Sequence, residues 1–151
     1  MKIFQDLWIF NFNKIYVEHK NFHVDLNTSK KQDFMEIVEG IIDLDSKMRF
    51  VAIIDLRGNI VEAIMKTGKT SLKTQKEEEN FCKQVALRRK MRYEFNRHLG
   101  KVRYVHVERE KVTQLVIYSK RKSIYFTVEP ELSLDKKLRL IMRVKKITSH
   151  L

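Results

Sequence analysis

Two apolar stretches separated by a three-residue turn constrain the fold of this chain more than any other feature. Residues 49–56 read RFVAIIDL and are apolar on both faces, which is typical of a strand in the middle of a sheet. Residues 57–59 (RGN) have turn chemistry, and residues 60–66 alternate between an apolar and a polar face. The pattern therefore predicts a β-hairpin with a central first strand.

Three segments have the spacing of amphipathic helices. Residues 30–45 follow the i, i+3, i+4, i+7 rule, and Ser29 with Gln32 resembles a capping box. Residues 75–98 form a long helix closed by Gly100, and its predicted apolar side consists of Phe81, Val85, Met91 and Phe95. A last helix follows Ser133, and its predicted buried stripe consists of Leu134, Leu138, Ile141 and Val144.

Three more strands are predicted at residues 102–107, 112–118 and 123–128. Their connections are short enough for hairpin loops, so the three strands form an antiparallel meander. The complete order is α-β-β-α-β-β-β-α. Because each amphipathic helix must bury its stripe, we expect an α+β fold: a five-stranded antiparallel sheet flanked by helices.

Residues 1–28 form an extra N-terminal aromatic segment before a single domain at residues 29–151. Phe4, Trp8, Phe12 and Ile15 recur at helical spacing, which favours an amphipathic helix through about residue 17. Such a helix packs on the domain or on a second copy of the chain, or else anchors on a membrane surface.

The single cysteine, Cys82, excludes an internal disulfide and fits a reducing compartment. No apolar run reaches the length of a transmembrane segment. The N-terminal apolar stretch is interrupted by Asp6 and is not followed by a small-residue cleavage site, so no signal peptide is expected. We therefore expect a cytoplasmic protein.

Three stretches carry a family resemblance: 49–65, 86–112 (ALRRKMRYEFNRHLGKVRYVHVEREKV) and 123–147. They resemble a family found in ammonia-oxidising archaea that has no established biochemical role. The order of helices and strands resembles the roadblock/longin group of profilin-like domains and, more distantly, PAS and GAF sensor domains. Roadblock-like domains pair through their second helix and an edge strand, and many work beside small Ras-like GTPases without hydrolysing nucleotide. The resemblance thus implies a homodimer and a GTPase-class partner, but it assigns no individual residue.

The formal net charge is +12, and the positive excess lies entirely after residue 82. The candidate basic surface comprises Arg88, Arg89, Lys90, Arg92, Lys120, Arg121, Lys122, Arg139 and Arg143. These cations form a solvated face that complements the helix dipole, an interface with a protein, or a phosphate-binding surface for nucleic acid. For self-association through the long helix, the candidate residues are Glu78, Phe81, Val85, Arg88 and Arg92.

No catalytic, metal or cofactor motif is convincing. Residues 63–70 (AIMKTGKT) fit a loose phosphate-loop pattern, but they contain one glycine and continue a hairpin strand. His19 and His23 lack the companions of a zinc site. We therefore expect a non-catalytic regulatory or interaction module without cofactor. The alternatives are a nucleic-acid-associated basic protein and a PAS/GAF-like small-molecule sensor, which requires a pocket between the sheet and the helices.

Overall fold

The computed structural model describes residues 34–151. The predicted aromatic segment, the division at residue 29 and the capping box at Ser29 lie outside this range. The helices and strands are α1 (Phe34–Ile42), β1 (Met48–Asp55), β2 (Ile60–Met65), α2 (Gln75–Tyr93), α3 (Asn96–Leu99), β3 (Val105–Glu108), β4 (Thr113–Tyr118), β5 (Lys122–Val128) and α4 (Leu134–Ile147).

The five strands form one antiparallel sheet in the order β2-β1-β5-β4-β3. Ala52 of β1 lies between Ala63 of β2 and Tyr125 of β5, so the doubly apolar β1 is an inner strand. The predicted hairpin, the three-stranded meander and the five-stranded α+β fold are all confirmed.

The two faces of the sheet are covered by different helices. The first face packs against α1 and α4, and its buried cluster includes Val38, Ile41, Val51, Ile53, Leu115, Ile124, Phe126, Leu140, Ile141 and Val144. The second face carries the alternate residues of the same strands, including Ala52 and Tyr125. There the Tyr125 ring lies 4.9 Å from the ring of Phe81, which belongs to α2. The core is thus two layers of side chains around one sheet.

The predicted long helix is shorter than expected. Helix α2 ends at Tyr93, where a turn brings the Phe95 backbone N–H 3.2 Å from the Arg92 carbonyl, and the four-residue α3 follows. Gly100 ends α3 with a φ of 80°. Met91 and Phe95, predicted to be buried, are both exposed. The buried side of α2 instead consists of Glu78, Cys82, Val85 and Ala86.

The predicted stripe of α4 is also half wrong. Ser133 caps the helix as predicted, and its side chain accepts a hydrogen bond from the Lys136 N–H. Leu134 and Leu138, however, are exposed. The buried residues are Lys137, Leu140, Ile141 and Val144. The buried stripe thus includes Lys137, next to the predicted Leu138, which is exposed.

Candidate interaction surface

A capping box fixes the start of α2 above the sheet. The Glu77 N–H donates to Thr74 Oγ1 at 3.3 Å, and the Thr74 N–H donates to Glu77 Oε2 at 2.7 Å. The Thr74 N–H also lowers the pKa of Glu77, because it stabilises the carboxylate. The backbone N–H groups of Thr74 and Glu77 thus both have acceptors, and the helix begins at a defined residue.

The inner side of α2 packs against the sheet of the same chain. Glu78 and Val85 are 5% and 4% exposed, and Phe81 packs on Tyr125. A second copy of the helix cannot pack on Glu78 or Val85 in this arrangement, so the predicted self-association through these two residues is corrected. Of the five predicted self-association residues, Arg88 lies on the exposed side.

Hydrogen bonds from Arg89 connect the C-terminal half of α2 to the β4–β5 turn. Its guanidinium donates to the Lys122 carbonyl at 2.6 Å and to the Ser119 carbonyl at 2.5 Å, and it lies 5.1 Å from the Tyr118 ring centre. Burial lowers the pKa of this guanidinium. Arg92 donates to the Tyr118 hydroxyl at 2.8 Å. These two arginines of the predicted basic surface are therefore structural contacts between helix and sheet.

An exposed apolar surface lies on the outer side of α2 and continues into the next segment. It comprises Leu87, Met91, Tyr93, Phe95 and Leu99, with exposed fractions of 58%, 56%, 73%, 58% and 80%, together with Tyr104 and Val107 beside and on β3. We call these seven residues the α2–β3 surface. Strand β3 pairs with β4 only, so its other edge carries no strand from residues 34–151. The surface thus combines large apolar side chains with an open sheet edge.

Sequence reasoning missed most of this surface. Leu87 and Met91 are four residues apart, and that spacing is the one signal that an outer apolar stripe exists on α2. Tyr93 is neither three nor four residues from Leu87 or Met91, and Leu99 lies beyond the turn at Glu94, which breaks the helical register.

The nine predicted basic residues do not form one surface. Arg88, Lys90, Lys120 and Arg121 are exposed near the C-terminal end of α2 and the β4–β5 turn. Lys122 lies at the same end, with its ammonium 5.9 Å from the Phe34 ring centre. Arg139 and Arg143 belong to α4 on the opposite face of the sheet, where they donate to Asp135 and to the Leu44 carbonyl. These nine residues, divided between two faces of the sheet, therefore do not form a single phosphate-binding track.

No metal cluster or membrane-spanning helix is found within residues 34–151. In this range no three His, Cys, Asp or Glu side chains are grouped to hold a metal ion. Nor does any helix in it have the length and apolar character needed to cross a bilayer.

Burial raises the pKa of the Cys82 thiol to about 12, so this cysteine stays protonated at neutral pH.

Residues 27–149 match a protein family described as a family of unknown function, DUF6659. The chain therefore belongs to this family. No curated protein matches the sequence. The archaeal source that the resemblance implies stays a prediction.

Several solved structures share the fold. Gliding protein MglB from Thermus thermophilus is 12% identical over 83% of this chain and 92% of its own, with a TM-score of 0.66. A roadblock/LC7 domain from Streptomyces avermitilis is 10% identical over 76% and 93%, with a TM-score of 0.59. Profilin IA from Acanthamoeba castellanii is 9% identical over 78% and 98%, with a TM-score of 0.52. The roadblock- and profilin-like character of the fold is thereby confirmed.

Proposed function

We propose that this member of the DUF6659 family is a non-catalytic regulatory module that pairs with a second copy of itself and then binds a protein partner of the small-GTPase class. The observation that carries the proposal is the α2–β3 surface. Residues 87–99 carry five large apolar side chains that are more than half exposed, and clustered apolar side chains of this kind mark interfaces.

The chemistry of the surface favours a second copy as its first occupant. Strand β3 is an edge strand, and the backbone donors and acceptors on its open edge can pair with a strand of a second copy. Leu87 and Met91 are exposed on the outer side of a 19-residue helix, and helices with an exposed apolar stripe pair along it. Pairing of equivalent helices and edges is the two-fold arrangement that the roadblock-like fold implies.

Binding of a small GTPase is the finer part of the proposal. Its support is the roadblock-like fold, since many domains of that fold work beside such GTPases. The exposed cations around the C-terminal end of α2 (Arg88, Lys90 and Arg121) add a positive field that speeds encounter with an acidic partner surface.

Sedimentation velocity over a range of protein concentrations tests the pairing. We expect the wild-type chain, of 18.2 kDa, to sediment as a dimer and the Met91→Glu variant as a monomer. Met142→Glu is the matched control, because Met142 is an equally exposed helical methionine on α4, 66% exposed against 56% for Met91. This variant should remain a dimer.

A monomeric wild-type protein at about 100 µM, a concentration far above the Kd of stable homodimers, overturns the pairing. Loss of the dimer in both methionine variants shows that the interface is elsewhere. The partner is then tested by titrating a Ras-class GTPase from the same genome, in its GDP and GTP forms, with wild type and Met91→Glu. Absence of binding in both forms removes the GTPase and leaves the pairing intact.

A further inference from the structure

A cleft of about 670 Å³ opens on the α2 side of the sheet, at the N-terminal end of α2. Its floor is a row of residues paired across four neighbouring strands: Met65, Phe50, Thr127 and Gln114. Because neighbouring strands lie about 4.8 Å apart, this floor is about 14 Å long. The connector 70–73 and the turn 109–112 form the walls. The volume is within the range of small-molecule sites.

Most of the charged and polar groups that line the cleft already have partners within the chain. The ion pairs are Arg49 with Glu129 at 2.7 Å, Lys73 with Glu78 at 3.1 Å and Glu108 with Lys137 at 2.8 Å. The Tyr125 hydroxyl accepts from the Gln114 amide nitrogen at 3.3 Å and from Lys73 at 3.1 Å. The depth of the cleft therefore presents no unpaired charge to a ligand, and apolar contact is the interaction that remains there.

Apolar side chains line much of the cleft and reach its opening. Leu72, in the connector before α2, is 52% exposed, although it is a large aliphatic residue. Met65, Phe81 and Val112 are half-buried around the same space. Because removal of apolar surface from water is favourable, an apolar chain that covers these side chains along the floor is stabilised.

Two cations without an acidic partner lie in the turn between β3 and β4, at the Gln114 end of the floor. Arg109 donates from Nε to Gln114, and its terminal nitrogens have no hydrogen-bond or ion-pair partner within residues 34–151. Lys111 is exposed and is equally without an ion pair in that range. With Glu110 between them, these two cations leave the turn a net charge of +1. This end of the cleft is therefore suited to one negative charge.

We infer that the cleft binds an apolar carboxylate of the medium-chain fatty acid class. The carboxylate lies between the terminal nitrogens of Arg109 and the ammonium of Lys111, and the acyl chain follows the floor from Gln114 toward Met65. The paired N–H donors of a guanidinium match the two oxygens of a carboxylate, and its single charge equals the net charge of the turn. This inference does not rest on the proposed pairing, because no residue of the α2–β3 surface lines the cleft.

Isothermal titration calorimetry of the full chain with octanoate, 1-octanol and acetate tests the inference. Octanoate has both the chain and the charge, 1-octanol has the chain alone, and acetate has the charge alone. We expect octanoate to bind with a Kd below about 1 mM and each of the other two to bind about tenfold more weakly or not at all. Binding of 1-octanol or of acetate as tight as that of octanoate overturns the inference, since one half of the ligand then suffices. Absence of octanoate binding at about 1 mM overturns it as well.

Two matched pairs of variants locate the binding. Leu72→Glu puts a charge on the apolar wall and should weaken octanoate binding about tenfold. Leu56→Glu is its control, because Leu56 is 55% exposed and does not line the cleft. Lys111→Glu reverses a charge at the β3–β4 turn and should also weaken binding, whereas Lys120→Glu, at the far end of α2, should not. Equal effects within either pair would show that octanoate does not bind in the cleft.

The Met91→Glu variant separates the cleft from the α2–β3 surface, which is also apolar and exposed. Met91 does not line the cleft, so this variant should bind octanoate as the wild type does, even where pairing is lost. Loss of octanoate binding in Met91→Glu would place the ligand on the α2–β3 surface and overturn the inference.

Discussion

The ammonium of Lys137 lies 2.8 Å from Glu108 Oε1 and ties helix α4 to the edge strand β3. Lys137 also donates to the Pro130 carbonyl at 3.0 Å, and its side chain is 4% exposed. Glu108 accepts further hydrogen bonds from Thr113 and His106. Lys137 is the main cause that lowers the pKa of Glu108 to about 2. One buried lysine of α4 is therefore hydrogen-bonded to the edge strand of the proposed interface.

The ion pair between Glu108 and Lys137 predicts a pH-dependent stability. Because the folded pKa of Glu108 is below its ordinary value of 4.5, ionised Glu108 stabilises the fold above that pH. The stabilisation is lost as the pH falls from about 4.5 toward about 2. We expect Glu108→Gln to lower the free energy of unfolding at about pH 7, and we expect the deficit to shrink at about pH 3.

Urea denaturation of both proteins at the two pH values measures this difference. Other carboxylates also titrate in this range, so only the gap between wild type and variant is informative. Glu110→Gln, in the exposed turn that follows β3, serves as the control and should leave a small gap at both pH values. A deficit for Glu108→Gln that stays constant between the two pH values would contradict the assignment.

Replacement of Arg89 by lysine is predicted to destabilise the fold. The planar guanidinium of Arg89 donates to the Lys122 carbonyl from one terminal nitrogen and to the Ser119 carbonyl from the other, and the shorter lysine has a single nitrogen in place of this pair. We expect Arg89→Lys to lower the free energy of unfolding by about 2 kcal/mol, because two hydrogen bonds from a charged group are lost or weakened. Arg88→Lys, on the exposed side of the same helix turn, should change it by less than about 0.5 kcal/mol. Equal midpoints of urea unfolding for the two variants would show that Arg89 is not a structural contact.

The sheet could be predicted from the sequence because its signals are local. The hairpin and the meander depend on alternation and short turns, and β1 is apolar on both faces because helices cover both sides of it. The α2 helix was less predictable. Its buried side begins with Glu78 and is extended by Arg89, two charged residues that no apolar periodicity selects. Their partners, Lys73 and the β4–β5 turn, are distant in sequence or become neighbours only in the folded chain.

The candidate sites depend on tertiary contacts in the same way. The sequence places Arg89 and Arg92 in a candidate basic binding surface. In the structure, however, Arg92 donates to the Tyr118 hydroxyl and Arg89 donates to carbonyls of the β4–β5 turn. A cleft of about 670 Å³ opens beside the N-terminal end of α2, and the sequence anticipates it only as the requirement of a sensor. Lys73, Gln114 and Tyr125, which line it, come from three separate segments. A single amino-acid sequence has no signal that connects these positions.

Gly58, in the β1–β2 turn, is predicted to be essential for the packing of α2 on the sheet. Gly58 has a φ of 87°, and a Cβ atom there would lie 2.5 Å from the Cα of Lys83 in α2. Gly58→Ala therefore combines left-handed strain with a clash against helix backbone, and we expect it to lower the free energy of unfolding by about 3 kcal/mol or more. Gly68→Ala is the matched control, because Gly68 has a φ of 82° and a Cβ atom there would meet no other atom within 4 Å. This variant should lose only about 1 kcal/mol, the strain alone. Equal losses in urea unfolding would mean that the turn can move away from α2, and that the helix is held by Arg89 and the capping box without it.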